Sequence, residues 1–339
     1  PPLPPRRNPQ NFGEDDPSNP IHYMRDPHKL IVYLIPFPKP QMKNVDASKI
    51  PDRFLIYTPP PPPLSRPKEG EKEGKFHKVQ RKWQEEVREA KTSQAKTASW
   101  KGIKGKATKG IDWAMAKTTT SSLDFLNRIE HDKKQKKEMV LIYPSTVPGT
   151  QEELRTEFVN SMLRSKSKAQ RDSVIATGLL PVGFAIDVLA TFVWPFGGLA
   201  EIDSVWLYSS LRGAKVARST TKRLTSSSTS GNHEQDKLRL TFTPSQRLEV
   251  LRRYLAARCH EREPYIFPTA GPVPTETQVL EAIGWAPSQT GGETKNWEDE
   301  QWEISEVKED LKSVMGKGSR EWEKWCKAFE KDPEKALKK

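Results

Sequence analysis

Cysteine is nearly absent. Cys259 and Cys326 are the only two in 339 residues, far apart and in charged, helix-like surroundings, which excludes a disulfide framework and a dense thiolate metal site. Such sparing use fits a reducing compartment or indifference to redox. Apolar residues are also few, 34% of the chain against roughly 45 to 50% in ordinary globular proteins, so a large continuous core is not expected. Catalytic signatures are missing as well. Gly105, Lys106 and Gly110 do not meet the Gly-x-x-x-x-Gly-Lys-Ser/Thr spacing that cradles a phosphate, and no His-Glu-x-x-His, Cys-x-x-Cys or Gly-x-Ser-x-Gly occurs. Neighbours on one helix point to different faces, so Cys259 and His260 read as packing and surface residues rather than as nucleophile and base. The chain reads as a non-enzyme without cofactor or metal. It starts at Pro1 rather than at a methionine, which reads as a trimmed or processed beginning and supports no targeting assignment.

Proline, by contrast, is abundant. Seventeen of its 29 residues gather at Pro1 to Pro9, Pro36 to Pro40, Pro59 to Pro63 and Pro264 to Pro274, stretches that can form neither helix interior nor central strand. The formal charge of +12 and pI near 9.5 point to anionic partners, of which nucleic acid and acidic lipid headgroups are the two common kinds.

Three short runs of β-branched and aromatic residues are each stopped by proline: Leu30 to Ile35, Phe54 to Tyr57 and Met139 to Tyr143. They predict three strands of one small sheet. Between the second and third lies a basic stretch with helical spacing over 76–90 and 103–129. There Lys101, Lys104, Lys106 and Lys109 crowd turns weakened by Gly102, Gly105 and Gly110, and such a helix is better stabilised on an anionic surface than in water. A helix is expected from Gln151 to Leu163. Thr243 to Gln246 and Thr275 to Gln278 both have the pattern of a capping box opening a helix. The first of those helices carries an apolar stripe of Leu248, Leu251 and Leu255. The last fifty or so residues, with Trp297, Trp302, Trp322 and Trp325, read as surface helices joined by spacers.

Ser173 to Ala200 is the longest apolar stretch, with Asp187 as its single formal charge. As a helix it would span about 42 Å, more than the roughly 30 Å of a hydrocarbon layer. Pro181 and Pro195 predict that it is broken or folded into a hairpin. A carboxylate in such a segment costs about 2.5 to 3.5 kcal/mol on insertion. Asp187 is therefore the candidate for ion or proton handling, with a water-exposed hairpin turn as the plain alternative. Glu201 and Asp203 follow at the apolar end. Arg164, Lys166, Lys168 and Arg171 precede the segment and Arg212, Lys215 and Arg218 follow it, so charge gives no orientation. Balanced flanks suit both ends on one side, and a buried core helix stays open as an alternative.

The order of these elements resembles a known family. An early strand, the helix around Trp83, the run Leu123-Asp124-Phe125-Leu126-Asn127-Arg128-Ile129-Glu130, then Met139 to Ser145, Gly178-Leu179-Leu180-Pro181 and Trp206-Leu207-Tyr208-Ser209-Ser210-Leu211-Arg212 are similar to the fungal mitochondrial potassium/proton exchange-related family. The likeness covers roughly residues 29 to 220. It implies a mitochondrial inner-membrane protein that supports exchange of matrix potassium for protons, with membrane lipids and LETM-type exchange proteins as partners and no catalytic residues to carry over. Asp187 and Glu201-Ile202-Asp203 interrupt the apolar stretch that the family keeps unbroken, which puts a single crossing in doubt. The alternative is a peripheral scaffold, or a nucleic-acid- or ribosome-associated protein. The expected architecture is mainly α with a few short strands and membrane-associated, built on one broken hydrophobic helix or helical hairpin with amphipathic helices. Residues 1–28 are expected to be a disordered Pro-rich tail, 29–224 the exchange-related domain and 225–339 a charged helical region.

Overall fold

The computed structural model describes residues 29–42, 45–60, 81, 82, 85, 88, 120–131, 138–147, 149–164, 239–269, 271–284 and 297–337. The three expected strands are present as β1 (Lys29–Pro36), β2 (Phe54–Tyr57) and β3 (Glu138–Pro144). A fourth, β4 (Arg239–Ser245), completes one sheet in the order β2-β1-β3-β4. β1 pairs parallel with β3 from Lys29 opposite Glu138, and β3 pairs parallel with β4 from Glu138 opposite Arg239. β2 returns antiparallel on the outer side of β1, with Pro36 opposite Phe54.

Successive side chains of a strand point to opposite faces, and the unbroken apolar run of β1 fills both. Ile31, Tyr33 and Ile35 enter one core, and Leu30, Val32 and Leu34 enter the other. The second core is roofed by α1 (Ser121–His131) through Phe125 and Leu126 and by helix α2 (151–164) through Phe158 and Met162. The first is roofed by α3 (Leu248–Arg262), α4 (Glu276–Ala282), α5 (Trp297–Lys331) and α6 (Pro333–Leu337). Both parallel crossovers thus place their helix on one face, as the single handedness of such connections requires.

This overturns the expected architecture. A mixed four-stranded sheet between two helical layers organises the described residues, not a broken hydrophobic helix or hairpin with amphipathic helices around it. Among the described residues no helix is long and apolar enough to cross a membrane; Ser173 to Ala200 and the tail 1–28 lie outside them. β4 lies beyond residue 225 and closes the same sheet, so the core draws on both sides of that position.

Two local readings also change. Thr243 to Gln246 opens no helix, because Leu240 to Ser245 pairs with β3 and α3 begins only at Leu248, after an Arg247 that makes no side-chain cap. A ladder of backbone hydrogen bonds outweighs the roughly 1 kcal/mol of a cap. The C-terminal stretch is one helix of 35 residues, with Trp322 and Trp325 buried at 3% and 9% exposure rather than on the surface. Trp322 stacks between Phe37 and Trp325, and Trp325 stacks on Phe329 with the Arg53 guanidinium 4.1 Å from its ring centroid. The Thr275 box is formed as expected: its hydroxyl accepts from the Gln278 amide at 3.3 Å and the Gln278 side chain accepts from the Thr275 amide at 2.9 Å.

α5 passes the sheet closely at Gly318, where an added Cβ would stand 2.9 Å from Leu55 Cδ1, whereas at Gly316 nothing lies within 4 Å. Replacing a helical glycine by alanine gains up to about 1 kcal/mol, while overpacking a filled core costs about 1 to 3 kcal/mol. Urea denaturation should therefore place Gly318→Ala below Gly316→Ala in stability by about 1 to 3 kcal/mol. Equal stabilities would contradict the close approach.

Candidate functional site

Two places in the fold concentrate polar chemistry. One is the seam where α1 runs antiparallel along α5. Ser121 donates through its amide and hydroxyl to Glu321 at 3.2 and 2.9 Å, and Lys317 Nζ lies 2.6 Å from Asp124 Oδ2. Further along, the Arg128 guanidinium donates to Asp310 and to the Thr58 carbonyl. The Tyr57 hydroxyl donates to the other Asp310 oxygen at 3.2 Å, and Arg128 lies 5.7 Å from the Tyr57 ring centroid. Burial alone would lower the Arg128 pKa, but the Asp310 carboxylate beside it, followed by Tyr57, holds it above its ordinary value. Burial, reinforced by Asp310, raises Tyr57 well above its ordinary value, so it stays a neutral donor.

The seam is satisfied from end to end and serves to join α1, α5 and β2. Asp124 pairs with Lys317 and Asp310 with Arg128, while Glu321 accepts from the neutral Ser121. Removing one partner of a buried pair leaves a charge uncompensated. Asp310 keeps 21% side-chain exposure, so Asp310→Ala should cost about 2 to 4 kcal/mol rather than the fully buried figure. The double variant Arg128→Met/Asp310→Leu should recover most of that in the same denaturation assay. A double variant as unstable as the single one would show that the pair, not the orphaned charge, carries the stability.

The other place is the carboxyl end of the parallel strands. β3 leads to α2 on one face and β4 to α3 on the other, and sheets of this kind bind ligands where neighbouring strands diverge in this way. Here the position is filled by the chain itself. Thr150 and Glu153 cap α2 reciprocally, at 2.8 and 3.3 Å. Gly149 holds a φ of +129° and an added Cβ there would meet Glu153 Oε2 at 2.9 Å. The Thr146 hydroxyl donates to Glu249 in the first turn of α3, and the Ser145 amide donates to the Ser245 carbonyl at 3.4 Å. Carboxylates thus stand where an anionic ligand would bind a helix N-terminus, which disfavours phosphate there.

None of the residues singled out by sequence as ion-handling or membrane-surface groups falls in either place. Asp187, Lys101, Lys104, Lys106, Lys109, Arg212, Lys215 and Arg218 all lie outside the described residues. Cys259 is fully buried, and burial pushes its thiol up to about 12, while His260 Nδ1 lies 2.8 Å from the Phe267 carbonyl. The two are packing residues. Among the described residues no group of three or more His, Cys, Asp or Glu is placed to hold a metal ion. The charges of the seam were not singled out from the sequence. Their one local signal is that Asp124 and Lys317 interrupt the apolar or small residues beside them, Leu123 and Phe125, Gly316 and Gly318. No protein-family model, curated protein or solved structure matches the chain.

A third cluster sets a pH response. Glu323 accepts from Arg262 at 2.9 Å and from Lys327 at 2.9 Å, and Lys327 also donates to Glu263 at 2.7 Å. Partial burial works to raise Glu323, but the hydrogen bonds and charges of Lys327 and Arg262 prevail and hold it below its ordinary 4.5. A depressed carboxylate contributes stability fully present above its unfolded pKa and lost as pH falls through the folded one. The urea midpoint should fall as pH drops below about 4.5, and Glu323→Gln should flatten part of that slope. An unchanged slope would remove Glu323 as a contributor.

Proposed function

We propose that this chain is a membrane-attached accessory protein that supports potassium/proton exchange across the mitochondrial inner membrane. The observation that carries the reading is where its two membrane-compatible stretches enter the fold. The basic residues 61–119 precede α1, and residues 165–238, which contain the apolar Ser173 to Ala200, follow α2. α1 and α2 roof the same face of the sheet. Both stretches therefore interrupt the connections of one face, while α3 to α6 cover the other.

The topology adds a constraint on any insertion. Residues 165–238 leave from α2, whose Phe158 and Met162 are in the core, and return as β4, hydrogen-bonded to β3. One folded body holds both ends, so both lie on the same side of a bilayer, and any path through it crosses an even number of times. Asp187 near the midpoint of the apolar stretch then remains the residue most suited to meet an ion or proton. Lysines at 101, 104, 106 and 109 would contribute about 1 kcal/mol each close to an anionic surface. LETM-type exchange proteins are the partners this reading favours.

Alkaline carbonate extraction of mitochondria carrying the tagged chain should leave it in the membrane pellet. Asp187→Asn should slow potassium-driven swelling while the protein stays in that pellet. Full release by carbonate would reject an inserted segment. Steep loss of binding with salt, together with recovery of bound RNA, would move the nucleic-acid or ribosome scaffold to first place, because each phosphate neutralised releases counterions.

A further inference from the structure

Arg53 immediately precedes β2, the outermost strand of the sheet next to β1. On one side its guanidinium lies 4.1 Å from the ring centroid of Trp325 in α5. On the other side the charges of α2 act on it. There Arg164 donates to the Glu157 carboxylate and, at 2.8 Å, to the Ser161 hydroxyl. Arg53 has no such partner. Among the described residues its guanidinium donates to no acceptor, and the adjoining carboxylate of Asp52 is held by Lys39 at 2.9 Å. None of its nitrogens is sealed from water.

A half-buried guanidinium without a carboxylate is an unfavourable arrangement, and the surrounding charges make it more so. Burial pulls the Arg53 pKa down to about 10, the like charge of Arg164 works in the same direction, and the opposite pull of Glu157 is the weaker of the two. Two cations thus stand over one carboxylate. Stacking on Trp325 occupies the flat face of the guanidinium and leaves its in-plane N–H donors, the fork that grips two oxygens of one anion. A phosphate group has the oxygens and the charge for that fork, and a second cation beside it adds to the attraction.

We infer that Arg53, stacked on Trp325 and flanked by Arg164, is a binding site for a phosphate group, carried by a soluble phosphate or by a phospholipid headgroup. The site itself does not rest on the membrane reading proposed above; only its occupation by a headgroup does. Arg164 stands nine residues ahead of Ser173, where the apolar stretch begins. A headgroup bound here would hold the end of α2 at the bilayer surface.

Isothermal titration of the whole chain with inorganic phosphate at low ionic strength should give saturable binding. Arg53→Gln should weaken it about tenfold, the effect of losing a charge-assisted hydrogen bond, whereas Lys312→Gln, which removes an exposed charge of α5, should leave it unchanged. Glu157→Gln should tighten binding about threefold by removing the carboxylate that competes with the ligand, a gain that a damaged fold does not produce. Flotation with phosphatidylcholine vesicles containing phosphatidic acid separates the two sources of phosphate. Vesicle binding that weakens in Arg53→Gln but not in Lys312→Gln assigns the site to the headgroup. Dependence on Arg53 in the phosphate titration alone assigns it to a soluble phosphate. Equal losses in Arg53→Gln and Lys312→Gln, or affinities unchanged by Arg53→Gln and Glu157→Gln in both assays, would overturn the site. If the parent binds no vesicle, the membrane reading fails and the phosphate titration alone decides the site.

Discussion

Everything in this fold depends on β1 being covered on both faces. Six consecutive residues, Leu30 to Ile35, are all at or below 7% exposure, and apolar burial stabilises by about 25 cal/mol per Å². A strand buried twice needs a neighbour on each edge and a helical layer on each side. β2 and β3 supply the edges, and the layers come from opposite ends of the chain: α1 and α2 from the middle, α3 to α6 from the end. The C-terminal region is therefore bound to the core rather than appended to it. The polar seam follows from the same demand. α5 reaches beyond the sheet to meet α1 past the β2 edge, and the charges at that meeting are paired because they are withdrawn from water.

How much of this the sequence discloses depends on whether the signal is local. The runs Leu30 to Ile35, Phe54 to Tyr57 and Met139 to Tyr143 are continuous apolar stretches cut by proline, and each is a strand in the structure. The Thr275 box and the helix over 151–164 are likewise written in a few adjacent residues. β4 is not. Leu240, Thr241, Phe242 and Thr243 alternate weakly, Pro244 follows, and the stretch becomes a strand only because β3 offers a parallel partner about a hundred residues away. An edge position is also where a strand tolerates proline.

The candidate site shows the same divide more sharply. Asp310, Lys317 and Glu321 belong to a helix whose sequence is rich in charge of both signs, and nothing within that helix separates them from its solvated neighbours. Only the antiparallel register with α1 does so, by bringing Asp124 to Lys317 and Arg128 to Asp310. The tryptophans behave alike. Trp322 and Trp325 look like surface aromatics among lysines and glutamates, yet they are stacked in the core because α5 turns that stripe towards Phe37 and Arg53.

Long connections carry the rest of the chemistry, and loop physics explains why the fold tolerates them. Residues 165–238 number 74 between α2 and β4. A flexible loop of that length would cost only about 2 kcal/mol more to close than one of about ten residues, because each doubling adds about 0.6 kcal/mol. The β3 and β4 ladder, seven residue pairs long, bears that cost. Residues 61–119 hold fifteen of the lysines and arginines against seven carboxylates, two thirds of the net charge of +12. Charge and apolar length are thus concentrated in two connections of the chain. Both interrupt connections on the face roofed by α1 and α2, so the membrane reading proposed above sets an anionic and apolar surface against that face.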